Sequence, residues 1–189
     1  MSSTVADFDT LPIVNASRLL LGILSTIGNL FILSLFFYSP KLRQFACTVL
    51  IALLCFSDLL VGIGLLIRAT YSITAAQYYK KSTCYAVNSL IGIGKTASEI
   101  VIFGISIDRY NAVYKPVIYS RNEKNNWFIL RTIVLAIILS FALTWAKQIE
   151  VDYSIPITVC TAAAATGPYS FLVTTVYTGI FLIILYCKF

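Results

Sequence analysis

The sequence predicts an all-α membrane protein of five transmembrane helices, with its N-terminus outside. Three observations carry this. Of 189 residues, 59% are hydrophobic and 12% charged, whereas soluble domains carry about 25% charged residues. The apolar residues gather into five blocks, each long enough to cross a hydrocarbon layer about 30 Å thick. Within the blocks hydrophobicity is continuous. It does not alternate over about ten residues as a membrane barrel strand would, so each block satisfies its own backbone groups as a helix.

The first block, LLLGILSTIGNLFILSLFFY, has no charge. The acidic MSSTVADFDT ahead of it lacks the basic start of a signal peptide, so this block is expected to remain as a helix. The second block, Ala46–Ile67, centres on Asp58. The third, Tyr85–Ile107, opens after Cys84 and closes on Asp108-Arg109-Tyr110. The fourth runs Trp127–Gln148, and the fifth runs Tyr169–Cys187 behind Pro168. The chain thus reads as one transmembrane domain, residues 1–189, with helices over about 17–38, 45–68, 83–114, 127–148 and 168–188. β-branched residues are frequent in these blocks, but lipid context overrides their helix propensity.

Orientation follows from Lys and Arg in the short loops. With the N-terminus outside, Lys41, Arg43, Arg109, Lys115, Arg121, Lys124, Arg131 and Lys188 lie inside, and Arg18, Arg68, Lys80, Lys81 and Lys147 lie outside. Two further features agree. Asn15-Ala16-Ser17 is a glycosylation acceptor in the N-terminal tail, usable only on the outer side. Cys84 and Cys160 both fall on that side, in the oxidising compartment where a disulfide can form. Cys47, Cys55 and Cys187 read as packing residues within or at the inner ends of helices.

Several chemistries are disfavoured. With no histidine, His-based catalysis and the commonest metal ligand are missing. There is no C-x-x-C pair, phosphate loop or G-x-S-x-G motif, and the net charge of +6 is spread over loops. Enzyme, cofactor, metal and nucleic-acid readings therefore have no footing, and the expected surroundings are membrane lipid.

Polar residues inside a membrane are costly and mark function. Asn29 and Asp58 lie near the middles of consecutive antiparallel spans. They read either as a polar clamp fixing helix packing or as a midplane site sharing an ion or water. Lys95 and Glu99 lie mid-way along the third span at i,i+4 spacing, on one helix face. They read either as a self-neutralised pair or as a charged spot in a ligand pocket.

Together these residues resemble one family. Gly28-Asn29, Leu54-x-x-x-Asp58, Cys84 placed 25 residues before Arg109, and DRYNAVYKPVIY from Asp108 to Tyr119 resemble the motifs of rhodopsin-like (class A) G-protein-coupled receptors, over about residues 16 to 189. The resemblance implies a Cys84–Cys160 disulfide tying the second outer loop to the third helix. It implies that Asp58 is a midplane sodium-site carboxylate, that Arg109 meets the G protein, and that Asp108 holds Arg109 at rest beside Tyr110. It also implies an outer ligand pocket, for which Lys95, Glu99, Ile91 and Arg68 are the candidates.

The departures narrow the branch. Ile91 stands seven residues after Cys84, where amine receptors carry an aspartate, so an amine ligand is disfavoured. The fourth helix has Ala136 at its middle and its Trp145 near the outer end, and the fifth lacks a mid-span proline. The pattern is similar to nematode serpentine chemoreceptors. The sequence stops at Lys188-Phe189, ahead of any sixth or seventh helix. The expectation is a chemosensory receptor, truncated or incomplete, unable to signal alone. The alternative is a non-signalling five-helix protein that associates with full-length receptors. The implied partners are a heterotrimeric G protein, an unknown small-molecule or peptide ligand, and another receptor copy. The implied location is the plasma membrane, with retention in the endoplasmic reticulum if truncated.

Overall fold

A computed structural model describes residues 11–74, 80–114, 116–117, 119, 126–149, 151–153, 160 and 166–188. Among the described residues five long helices follow in order: α1 Pro12–Tyr38, α2 Ala46–Thr74, α3 Lys81–Tyr114, α4 Asn126–Ala146 and α5 Ser170–Lys188, with a 3₁₀ turn at Leu42–Gln44 between α1 and α2. No strand occurs among the described residues. Four of the helices are long and apolar enough to cross a membrane. The fifth has 19 residues, or about 28 Å at 1.5 Å per residue. The fold is therefore the helical membrane bundle that the apolar blocks predict.

The helix ends differ from the expected ones for local reasons. α1 starts at Pro12, about five residues early, because proline suits the first helical position. It stops at Tyr38, since Ser39 precedes Pro40 and takes an extended conformation, as residues before proline do. α2 continues to Thr74, beyond the expected 68. No glycine or proline lies between Arg68 and Thr74, and a helix need not stop where the lipid does. α4 closes at Ala146, ahead of the expected 148. There Lys147, Gln148 and Ile149 form turns, and the Gly167 N–H donates to the Lys147 carbonyl at 2.8 Å.

The helices meet along seams of small residues, the usual basis of packing when lipid removes the hydrophobic drive between helices. A Cβ added at Gly62 of α2 would sit 2.7 Å from Thr26 Oγ1 of α1. One added at Gly94 of α3 would sit 2.8 Å from the Ser57 carbonyl oxygen of α2. One added at Gly104 of α3 would sit 2.8 Å from Thr132 Cγ2 of α4. Beside these seams lie two apolar clusters. Leu33, Ala52 and Cys55 join α1 to α2. Ile100, Val101 and Ala136 join α3 to α4, with Leu53 and Leu54 of α2 against them. The outward faces are apolar too, as lipid requires: Leu20, Leu24, Ile27 and Phe31 of α1 are all exposed.

Candidate functional site: four polar layers along the third helix

α3 has 34 residues and is about 51 Å long, so it carries polar groups past both edges of the hydrocarbon. Four layers of them follow down its length.

At one end Cys84 and Cys160 are joined by a disulfide and are fully buried, with Tyr71 and Tyr85 packed around them. Arg68 of α2 donates to Asn88 Oδ1 at 3.0 Å and to the Cys160 carbonyl at 3.2 Å. Asn88 in turn donates to the Cys84 carbonyl at 2.9 Å. Hydrogen bonds from a guanidinium are among the stronger ones. Arg68, expected in a ligand pocket, thus ties α2 to α3 and to the cystine-bearing loop. Asn88 was not singled out in the sequence, although its i,i+4 spacing from Cys84 was available as a signal.

The next layer holds Lys95 and Glu99. Lys95 Nζ lies 4.0 Å from Glu99 Oε1, with side chains 71% and 32% exposed, which is the outer limit of an ion pair. The Tyr177 hydroxyl of α5 is buried beside Glu99. Lys147, just past α4, faces the same charges. Burial pushes its ammonium pKa down and Lys95 adds to this, while Glu99 opposes it. Ile91 is not in this charged group; it packs against Gly64 of α2, where its Cγ1 would lie 2.6 Å from an added Cβ.

The third layer centres on Asp58 of α2. Ser98 of α3 donates to Asp58 Oδ1 at 2.6 Å, and Ser25 of α1 donates to the Asp58 carbonyl at 3.0 Å. Asn29 donates to the Ser25 carbonyl at 2.9 Å and to Ser25 Oγ at 3.3 Å. The Asn29 side chain therefore reaches Asp58 through Ser25 and not directly. The layer ties three helices together, and its carboxylate and hydroxyl oxygens suit a hard cation better than a transition metal.

The last layer closes α3. Asp108 is 4% exposed and accepts from the Tyr119 hydroxyl at 3.1 Å and 3.2 Å on its two oxygens. Burial, the Asp108 charge and this bond all push the Tyr119 phenol pKa up. Arg109 Nε lies 4.0 Å from Asp108 Oδ2 with its side chain 59% exposed, and its guanidinium contacts the Cys47 thiol of α2. Tyr110 stacks on Tyr114, ring centroids 4.5 Å apart. Cys47, read as a packing residue, is also a neighbour of the motif arginine.

Asn15 falls outside these layers. It lies in the first turn of α1, buried, and accepts from Arg18 at 3.2 Å; it does not lie in an extended tail.

Residues 22–189 match the family of serpentine type seven-transmembrane G-protein-coupled chemoreceptors called Srsx. The chain belongs to this family. Among curated receptors, the Srsx chain is 31% identical over 140 residues to nematocin receptor 2 of Caenorhabditis elegans, covering 67% of this chain and 34% of that receptor. It is 30% identical over 119 residues to G-protein coupled receptor 52 of Bos taurus, covering 62% and 31%. It is 30% identical over 122 residues to the B2 bradykinin receptor of Oryctolagus cuniculus, covering 61% and 31%. The matched stretch thus spans about a third of these curated relatives. This Srsx chain is a multi-pass membrane protein of the receptor class, and the four layers are its candidate site residues.

Proposed function

We propose that residues 1–189 supply the ligand-receiving and G-protein-facing halves of the first five helices of a chemoreceptor. The Cys84 end faces outward and the Arg109 end faces the cytoplasm. One observation carries the reading. The carboxylate of Asp108 is buried and held by Tyr119, while Arg109 beside it stays largely exposed at the helix end. A cation left at the end of a spanning helix, with its acidic neighbour fixed, is available to an incoming protein surface. Asp58 and Ser98 would hold a sodium ion at the midplane. A ligand would be received near Lys95 and Glu99, and the receptor would work at the plasma membrane through a heterotrimeric G protein.

Signalling needs two states that a ligand binds differently. Among the described residues, no helix beyond α5 stands beside the inner ends of α3 and α5. Residues 1–189 by themselves are therefore proposed not to activate a G protein. The test is nucleotide exchange on a purified G protein. Residues 1–189 are expressed alone, then together with a segment carrying the sixth and seventh helices of a family member, each with Arg109→Ala as control. The expected result is exchange only from the combination, lost in the variant. Exchange from residues 1–189 alone would overturn the five-helix argument, and exchange indifferent to Arg109→Ala would overturn the role of Arg109.

A further inference from the structure

We propose that the cavity between the Cys84-proximal ends of α3 and α4 binds the carboxylate of a small organic acid, with Lys147 as its counter-ion. The inference rests on the chemoreceptor reading and deepens it by naming a ligand class. The cavity measures about 60 Å³ and is lined by Tyr85, Asn88, Ser89, Gly92, Thr144, Lys147 and Thr166. That space holds several waters or one carboxylate.

What decides the ligand class is where the lining groups send their protons. The Tyr85 hydroxyl donates to the Thr144 carbonyl at 3.0 Å. Thr144 Oγ1 donates to the Ser140 carbonyl at 2.7 Å. Ser89 donates to the Ala86 carbonyl at 2.8 Å, and Thr166 to Ser170 Oγ at 2.9 Å. The Asn88 amide serves the cystine. Among the described lining residues, Lys147 is the group whose donor protons are uncommitted. An ammonium has three such protons and no acceptor, so the cavity offers donors to a ligand that brings acceptors.

Charge points the same way. Among the described residues, Glu99 is the carboxylate whose charge acts on Lys147, and it already faces Lys95. Among those groups, two ammoniums stand against one carboxylate, a cationic excess beside the cavity. Burial and Lys95 both work against the charged form of Lys147, and an incoming anion relieves both. An amine would add a third cation, and a neutral alcohol would leave the excess unanswered.

The experiment uses saturation-transfer NMR on the full chain in nanodiscs of phosphatidylcholine, with hexanoate as probe and hexanol as neutral control. Hexanoate is expected to bind at least ten-fold more tightly than hexanol. Lys147→Met is expected to weaken hexanoate at least ten-fold, while Lys147→Arg stays within about three-fold. A properly folded Lys147→Met chain that keeps hexanoate affinity overturns the proposal. So does equal binding of hexanol and hexanoate by the unaltered chain, a comparison that stands even where the variant does not fold. Nanodiscs containing phosphatidylserine separate a free acid from a lipid headgroup: loss of hexanoate binding there assigns the site to lipid and overturns the soluble-acid reading. Because the readout is binding, its failure leaves the exchange assay and the role of Arg109 as they stand.

Discussion

Replacing Gly94 with alanine adds one methyl group where the backbone of α3 lies against α2. The new Cβ would sit 2.8 Å from the Ser57 carbonyl oxygen, 2.8 Å from Val61 Cγ2 and 3.1 Å from the Val61 nitrogen. Ordinary contact begins near 3.4 Å, so the helices must part by about 0.6 Å, since carbon atoms gain nothing from closer approach. Two of the three obstacles are backbone atoms and cannot turn aside. Overpacking of this kind costs about 1–3 kcal/mol, against a helix-propensity gain of up to about 1 kcal/mol for alanine over glycine. The net expectation is a loss of about 1–2 kcal/mol. Gly28→Ala is the matched control: nothing lies within 4 Å of its added Cβ, so only the propensity gain of up to about 1 kcal/mol remains. Because the propensity gain is common to both, the two variants should differ by the overpacking cost, about 1–3 kcal/mol, or roughly 2–12 °C in melting temperature for a chain of this size. The free cysteines Cys47 and Cys55 are buried, so a thiol-reactive dye reports unfolding without added labels. The parting also stretches the 2.6 Å bond from Ser98 to Asp58, one turn along α3. Gly94→Ala melting at or above Gly28→Ala would refute the close-approach argument.

Other outcomes are expected from the same contacts. Mass mapping without reductant should recover the Cys84 and Cys160 peptides linked, and replacing both with serine should destabilise the chain by up to about 4–5 kcal/mol for a closed loop of 76 residues; two free thiols in the native chain would refute the pairing. Glu99→Gln should lower surface expression more than Lys95→Met, because Glu99 is the less exposed partner and also lies beside Tyr177; equal losses would mean the pair acts alone. Tyr119→Phe should cost about 1.5–3 kcal/mol, the worth of hydrogen bonds to a charged group, read with the same dye, and an unchanged melting temperature would show that Asp108 finds another donor.

The parts of this molecule visible in its sequence are those with long or rare signals. Five continuous apolar blocks announce five helices because no soluble fold needs them. Cys84, Cys160 and the Asp-Arg-Tyr triplet stand out because charge and cysteine are scarce in such spans. Short hydroxyl residues carry no comparable mark. Ser34, Thr70 and Ser106 each return a hydroxyl to a carbonyl of their own helix, whereas Ser25 and Ser98 cross to another helix and hold Asp58. Nothing in the letters separates the two kinds, since the choice depends on which helix face meets a neighbour. Arg68 shows the same limit. Its letter marks only a charge near a span end, and packing reveals that its Nη1 and Nη2 donate to Asn88 and to the Cys160 carbonyl. Lys147 bears only on orientation in the sequence, because its place beside the charges of α3 depends on the turns that follow α4.

The tethers at the two ends of α3 have a mechanical meaning. A covalent bond holds Cys84, and polar contacts from Tyr119 and to Cys47 hold the Asp108–Arg109 end. A rod held at both ends can twist or tilt, but it has almost no freedom to slide along its own axis. Lys95 and Arg109 are about 21 Å apart along this one stiff helix, so an axial push at one would have to move the other, and the tethers oppose that movement. Any motion passed along α3 is therefore left to torque, or to the displacement of the helices beside it.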